Sequence, residues 1–203
     1  MNVAAAGLLS ALLATLRPVA IPAPGQASPT AERIESGEIL SAGGDTLSYR
    51  IRLLPLASFP DLPPPVAAQL ARLACMIPQT FEAHEPENVI HGAFRAAGSD
   101  DWAALCSSAG TTTLYVFFSS QDDAPIALRS QPDTAWLGAE PGSSVFGSAW
   151  GISVTPAAEL RDTPQLHGPA VFDHDAIADA RLERSLTLRY HQDGRWLALN
   201  PGG

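Results

Sequence analysis

Alternating apolar and polar positions mark the strands of this chain. Over 46–54 (TLSYRIRLL), Leu47, Tyr49, Ile51 and Leu53 fall on one side, a period of two that predicts a strand. Residues 88–94 and 102–107 predict two more, joined by a loop at 95–101. Residues 111–119 (TTTLYVFFS) give the strongest strand signal, dense in β-branched and aromatic side chains. Ala109-Gly110 predicts a tight reversal before that strand. Residues 145–154 contain two glycines and predict a weaker, bulged strand. Near the end, Leu186, Leu188 and Tyr190 alternate with Ser185, Thr187 and Arg189, and a return strand is expected at 196–199. Asp193-Gly194 between them is the dipeptide that favours a two-residue turn. Counting outward pairs Gln192 with Arg195, His191 with Trp196, Tyr190 with Leu197 and Leu188 with Leu199. Tyr190, Leu197, Leu188 and Leu199 then share a buried face, with Trp196 and His191 on the other.

Helical spacing appears at 66–76 (VAAQLARLACM), where Val66, Leu70 and Leu73 form a stripe. The prolines of 58–65 forbid regular hydrogen bonding before it, the last of them suits a helix start, and Pro78 stops it. Residues 156–161 predict a second short helix. Residues 28–45 are polar and aperiodic and predict a flexible arm, while 120–133 and 162–169 predict loops. The pattern describes one α+β domain over 46–203, mostly antiparallel β-sheet with one or two short helices and a C-terminal β-hairpin.

Ahead of the arm, Val3 to Leu16 is an unbroken apolar and small run ending at Arg17. It is too short to span a bilayer, which needs roughly 20 residues, and has the length of a signal-peptide core. Residues 1–27 therefore read as a signal peptide with cleavage after Ala27, although Met1-Asn2 carries no basic residue. The alternatives are a buried N-terminal helix or a start codon placed too early. The secretory reading implies a periplasmic or extracellular location and no membrane span after processing. Cys75 and Cys106 fit that compartment, where they would pair; without a signal they read as two buried thiols.

Composition narrows the partners. The 203 residues carry 12 Lys+Arg, all of them Arg, against 21 Asp+Glu, a net charge of -9. Removal of 1–27 takes away Arg17 and no acid. Such a balance excludes a nucleic-acid binder, which needs a basic surface to release counterions. With 46% hydrophobic residues the chain can bury a core.

Two acidic loops carry candidate chemistry. Gly92, Phe94, Gly98, Asp100-Asp101 and Ala103 follow the spacing of FG-GAP or VCBS repeats, which this loop resembles over about a dozen residues. The resemblance implies a β-turn-β unit; the family's calcium-binding acids are replaced here by Arg95, Ala96 and Ala97, so calcium is not implied at this loop. The second loop places Asp173, Asp175 and Asp179 close in sequence, as calcium loops do, without their central glycine or late bidentate acid. It reads either as a cation site or as capping and turn chemistry, with Asp173 at the head of a short helix over 175–182. Stretches from Cys75 to Gln79, Asp101 to Cys106, Asp173 to Asp175 and Gly194 to Leu197 also resemble a group of uncharacterised secreted bacterial proteins. That resemblance implies a secreted domain and supplies no activity.

No enzyme motif is complete. His84-Glu85 lacks the second histidine of a zinc-protease helix and is followed by Pro86. Ser148 is out of place for a nucleophile elbow, and no phosphate loop or dinucleotide fingerprint is present. The expectation is a non-enzymatic binding domain for an unknown protein or small molecule, with Trp196 and His191 as candidate contacts. Trp102 and Trp150 read as core. No cofactor is expected, calcium at the second loop being the one candidate, and the rival function is a metal-assisted hydrolase using Asp173, Asp175 and Asp179.

Overall fold

The computed structural model describes residues 30–41, 43–118, 124–163, 166 and 171–201. The leader, the pair Asp122-Asp123 and His167 lie outside the described residues. The described chain is mostly β-sheet, largely antiparallel, with two helices.

Two four-stranded antiparallel sheets form the centre. The first runs in sequence order through β4 (Val89–Gly92), β5 (Asp101–Ser108), β6 (Thr111–Phe117) and β7 (Ile126–Pro132). The second does the same through β10 (Trp150–Thr155), β11 (Ala176–Arg181), β12 (Ser185–Gln192) and β13 (Arg195–Leu199). Strand alternation gives each sheet two apolar faces. Ala103, Leu105, Leu114 and Val116 of the first sheet pack with Trp150, Ile152 and Ile177 of the second, making a buried layer between them. The other face of the first sheet, with Ala104, Cys106 and Phe117, is covered by α1 (Pro64–Arg72) through Val66 and Leu70. The other face of the second, with Ala178, Leu188, Tyr190 and Leu199, is covered by Leu160 of α2 (Ala157–Arg161) and by Phe172.

A smaller sheet takes the order β1 (Arg33–Leu40), β2 (Thr46–Leu54), β9 (Val145–Ser148), β8 (Leu137–Gly138), with β3 (Ile77–Pro78) also paired to β2. Only β2 and β9 pair parallel there. Buried Asn88 ties the parts together: its amide donates to the carbonyls of Pro78 and Trp150, and its carbonyl accepts from the Ile152 N–H.

The β12–β13 register pairs Gln192 with Arg195, His191 with Trp196, Tyr190 with Leu197 and Leu188 with Leu199, as counted from the turn. Asp193 and Gly194 take φ of 50° and 75°, the positive pair such a turn requires. The α1 helix stops earlier than its apolar stripe because Ala74 turns left-handed at φ 52°. The Cys75 and Ala74 N–H groups then donate back to the carbonyls of Leu70 and Ala71, a Schellman cap. That cap delivers Cys75 to Cys106, to which it is bonded with Cα atoms 5.2 Å apart.

Four expectations change. The arm at 28–45 contains β1, an eight-residue strand held along its length by β2. The loop at 120–133 contains β7, an edge strand that pairs with β6 despite its polar sequence. The acidic segment before the C-terminal strands is neither loop nor helix over 176–181: it is β11, paired on both sides. Residues 145–154 form two strands in different sheets, split at Ala149. The backbone at Gly147 lies so close to Phe81 that a Cβ there would sit 2.9 Å from the Phe81 Cβ.

Candidate functional site

The cover that α1 gives the first sheet is incomplete. The helix seats over Ala104 and Cys106, and Trp102, on the same face at the start of β5, packs against that cluster while staying only partly buried. There a cleft of about 350 Å³ opens between the 58–62 segment, Pro86 and the β4–β5 pair.

Both walls are fixed locally. A single 3-10 turn at Leu56–Ser58 and hydrogen bonds from Phe59 N–H to Leu56 O and from Leu62 N–H to Phe59 O set the first wall, which Leu62 anchors in the core. The loop bearing Pro86 is held by Gln79, whose amide nitrogen donates to the carbonyls of Ile77 and Glu87 while its oxygen accepts from the Glu87 N–H. Glu87 in turn accepts from the Thr80 N–H. Pre-formed clefts with apolar walls and a few polar groups are the usual form of small-ligand sites.

Inside, the surface is mixed: Phe59, Trp102, Val89 and Leu62, with prolines 60 and 86, supply its apolar part. Three polar side chains reach it, Ser58, Asp61 and His91. His91 lies opposite Trp102 in the strand pair, with ring centroids 4.8 Å apart. Its Nε2 bonds to the Asp100 carboxylate. The Trp102 indole N–H is buried and has no hydrogen-bond partner in the protein.

Asp173, Asp175 and Asp179 are spent on three separate tasks. Asp173 accepts from the Tyr190 hydroxyl at 3.0 Å and bonds His174 Nδ1 at 2.6 Å. The His174 bond first, then that of Tyr190, holds the Asp173 carboxyl below the ordinary carboxylate value, while burial pushes the Tyr190 hydroxyl up. Asp175 accepts from the N–H groups of Ala93 and Ala157, tying β4's exit to the start of α2. Asp179 is fully buried on β11 and pairs with Arg189 at 2.7 Å, Arg129 at 3.3 Å and the Trp150 indole N–H at 2.8 Å. Among the described residues no group of three or more His, Cys, Asp or Glu is placed to hold a metal. Strand formation at 176–181 sets Asp179 within a sheet, and the protein's own donors reach each of the three carboxylates.

Trp196 and His191 also move from their expected role. The face opposite Tyr190 is covered by the first sheet, so these rings pack at the rim of the inter-sheet layer. Phe118 stacks on Trp196 at 6.1 Å and meets His191 edge-on at 5.2 Å. Asp101, part of the FG-GAP-like loop, is buried and accepts from the Arg95 N–H, closing the turn between β4 and β5. The residues that do line the cleft were legible one at a time: the proline cluster at 58–65, His91, and an indole on an apolar strand. The signal that would have joined them is the short helix, nine residues long, against an eight-residue strand that begins ahead of it.

Comparison with protein-family models, curated proteins and solved structures found no match. No helix among the described residues is long and apolar enough to cross a membrane.

Proposed function

We propose that this is a secreted or periplasmic, non-enzymatic binding domain whose small ligand seats in the Phe59–Trp102 cleft. The observation that carries the reading is the cleft itself: aromatic rings and apolar side chains set beside polar groups, with hydrogen bonds from Gln79 holding the wall that bears Pro86. The apolar leader and the Cys75–Cys106 bond support an oxidising compartment. Closure of the chain by a β-hairpin at Asp193-Gly194 belongs to the same reading of a small, stapled β domain.

Two measurements test it. Fractionation of cells expressing the full chain should recover a form beginning at Ser28 in the periplasm or medium; an uncut chain held in the cytoplasm would contradict the location. Calorimetric titration with benzyl alcohol, a neutral aromatic probe, should show saturable binding that a cleft-filling Ser58→Trp variant abolishes. Equal binding by that variant would remove the cleft as the site.

A further inference from the structure

We infer that the cleft selects an organic cation: a ligand with a protonated or quaternary nitrogen joined to an apolar or aromatic body. This rests on the reading of the cleft as the ligand site. Three observations carry it. The lining contains two aromatic rings, Phe59 and Trp102, and ring faces attract cations through their quadrupole, Trp most strongly. The lining contains the carboxylate of Asp61, and a second carboxylate, Asp100, stands behind His91 through their mutual bond. Among the described residues no Arg lines the cleft, and the chain contains no Lys.

The other ligand classes fit less well. A phosphate or carboxylate ligand would meet the exposed Asp61 with no cation among the described lining residues to pair it, a like-charge contact. A sugar requires a dense set of fixed donors and acceptors for its hydroxyls, whereas among the described residues Ser58, Asp61 and His91 are the polar ones of the lining. A cation instead uses what is there: apolar contact for its body, ring faces and one carboxylate for its charge. The net charge of -9 adds a long-range field that concentrates cations and repels anions.

The test is calorimetric titration of the mature protein with three probes of one shape: benzylamine, benzyl alcohol and benzoate. Benzylamine should bind about tenfold tighter than benzyl alcohol, equivalent to about 1.4 kcal/mol, and benzoate should be weakest. Raising salt should weaken benzylamine alone. Asp61→Asn should remove the preference for the amine over the alcohol. Glu38→Gln, which removes the same charge from the exposed strand β1, should leave the preference intact. If the alcohol binds as tightly as the amine, or benzoate binds best, the cation selectivity is overturned and the cleft survives as a site. If none of the three binds, both readings fall. A preference lost equally in Glu38→Gln would trace it to overall charge and overturn the role of Asp61.

Discussion

The outer faces of the two four-stranded sheets carry the same device in two settings. On the first sheet His91 pairs with Asp100 and packs on Trp102; on the second His174 pairs with Asp173 and packs on Tyr190, with ring centroids 4.2 Å apart. The His91 side chain is 51% exposed and that of His174 6%. Around His174 both ring nitrogens are occupied, Nδ1 by Asp173 and Nε2 by the His191 carbonyl at 2.8 Å. Around His91 only Nε2 is bonded, and the ring forms part of a cleft wall. A histidine–aspartate pair is thus no sign of a site by itself. What separates the two is burial of the cover: Leu160 of α2 and Phe172 are buried over the second, while Trp102, packed against the α1 layer on the first, stays only partly buried.

The covers differ in how they are held, and that gives the largest expected effect. The helix on the cleft side is stapled through Cys75 to β5; α2 has no such link. Replacing both cysteines by Ala should cost about 3 to 4 kcal/mol in urea unfolding, from the loop entropy returned to the unfolded chain. His174→Ala should cost about 2 to 3 kcal/mol, since it empties a buried, stacked position and strands the His191 carbonyl. His91→Ala, by contrast, should change stability by under about 1 kcal/mol, because its ion pair is exposed. Equal losses at the two histidines would break the distinction between a structural pair and a site-lining one. Ala74→Gly should stabilise by about 1 kcal/mol, relieving the left-handed backbone at the α1 cap.

The smallest effect concerns pH. The native Asp173 carboxyl titrates below the unfolded value of 3.8, chiefly through its bond with His174. Its contribution to stability is therefore present above that value and lost as pH falls through the native one. Unfolding of wild type and Asp173→Asn should differ by a constant amount near neutrality and converge in acid. A difference that grows as pH falls would contradict the assignment.

Legibility in the sequence followed how local each determinant was. The register of β12 and β13 depends on one dipeptide and on alternation beside it, so it could be counted from Asp193-Gly194. Strand β11 (AIADAR) has few β-branched residues, an acid within it at Asp179 and another just before it at Asp175; it is a strand because β10 and β12 bracket it and because Arg129 and Arg189 neutralise Asp179. Strand β7 likewise depends on its partner, β6. Trp102 was readable as a core residue from its strand, and it does pack against the α1 layer. Its second role, as a cleft wall, depends on Phe59 and Pro86, which are remote in sequence and joined only by the fold.

The most direct test uses the four tryptophans as internal reporters. In a ¹⁵N–¹H spectrum each indole gives one cross-peak, assignable by Trp→Phe substitution. Titration with benzylamine should move the Trp102 peak progressively to saturation and leave that of Trp196, at the rim between the sheets, in place. A stationary Trp102 peak, or a shift confined to Trp196, would contradict the assignment of the cleft as the binding site.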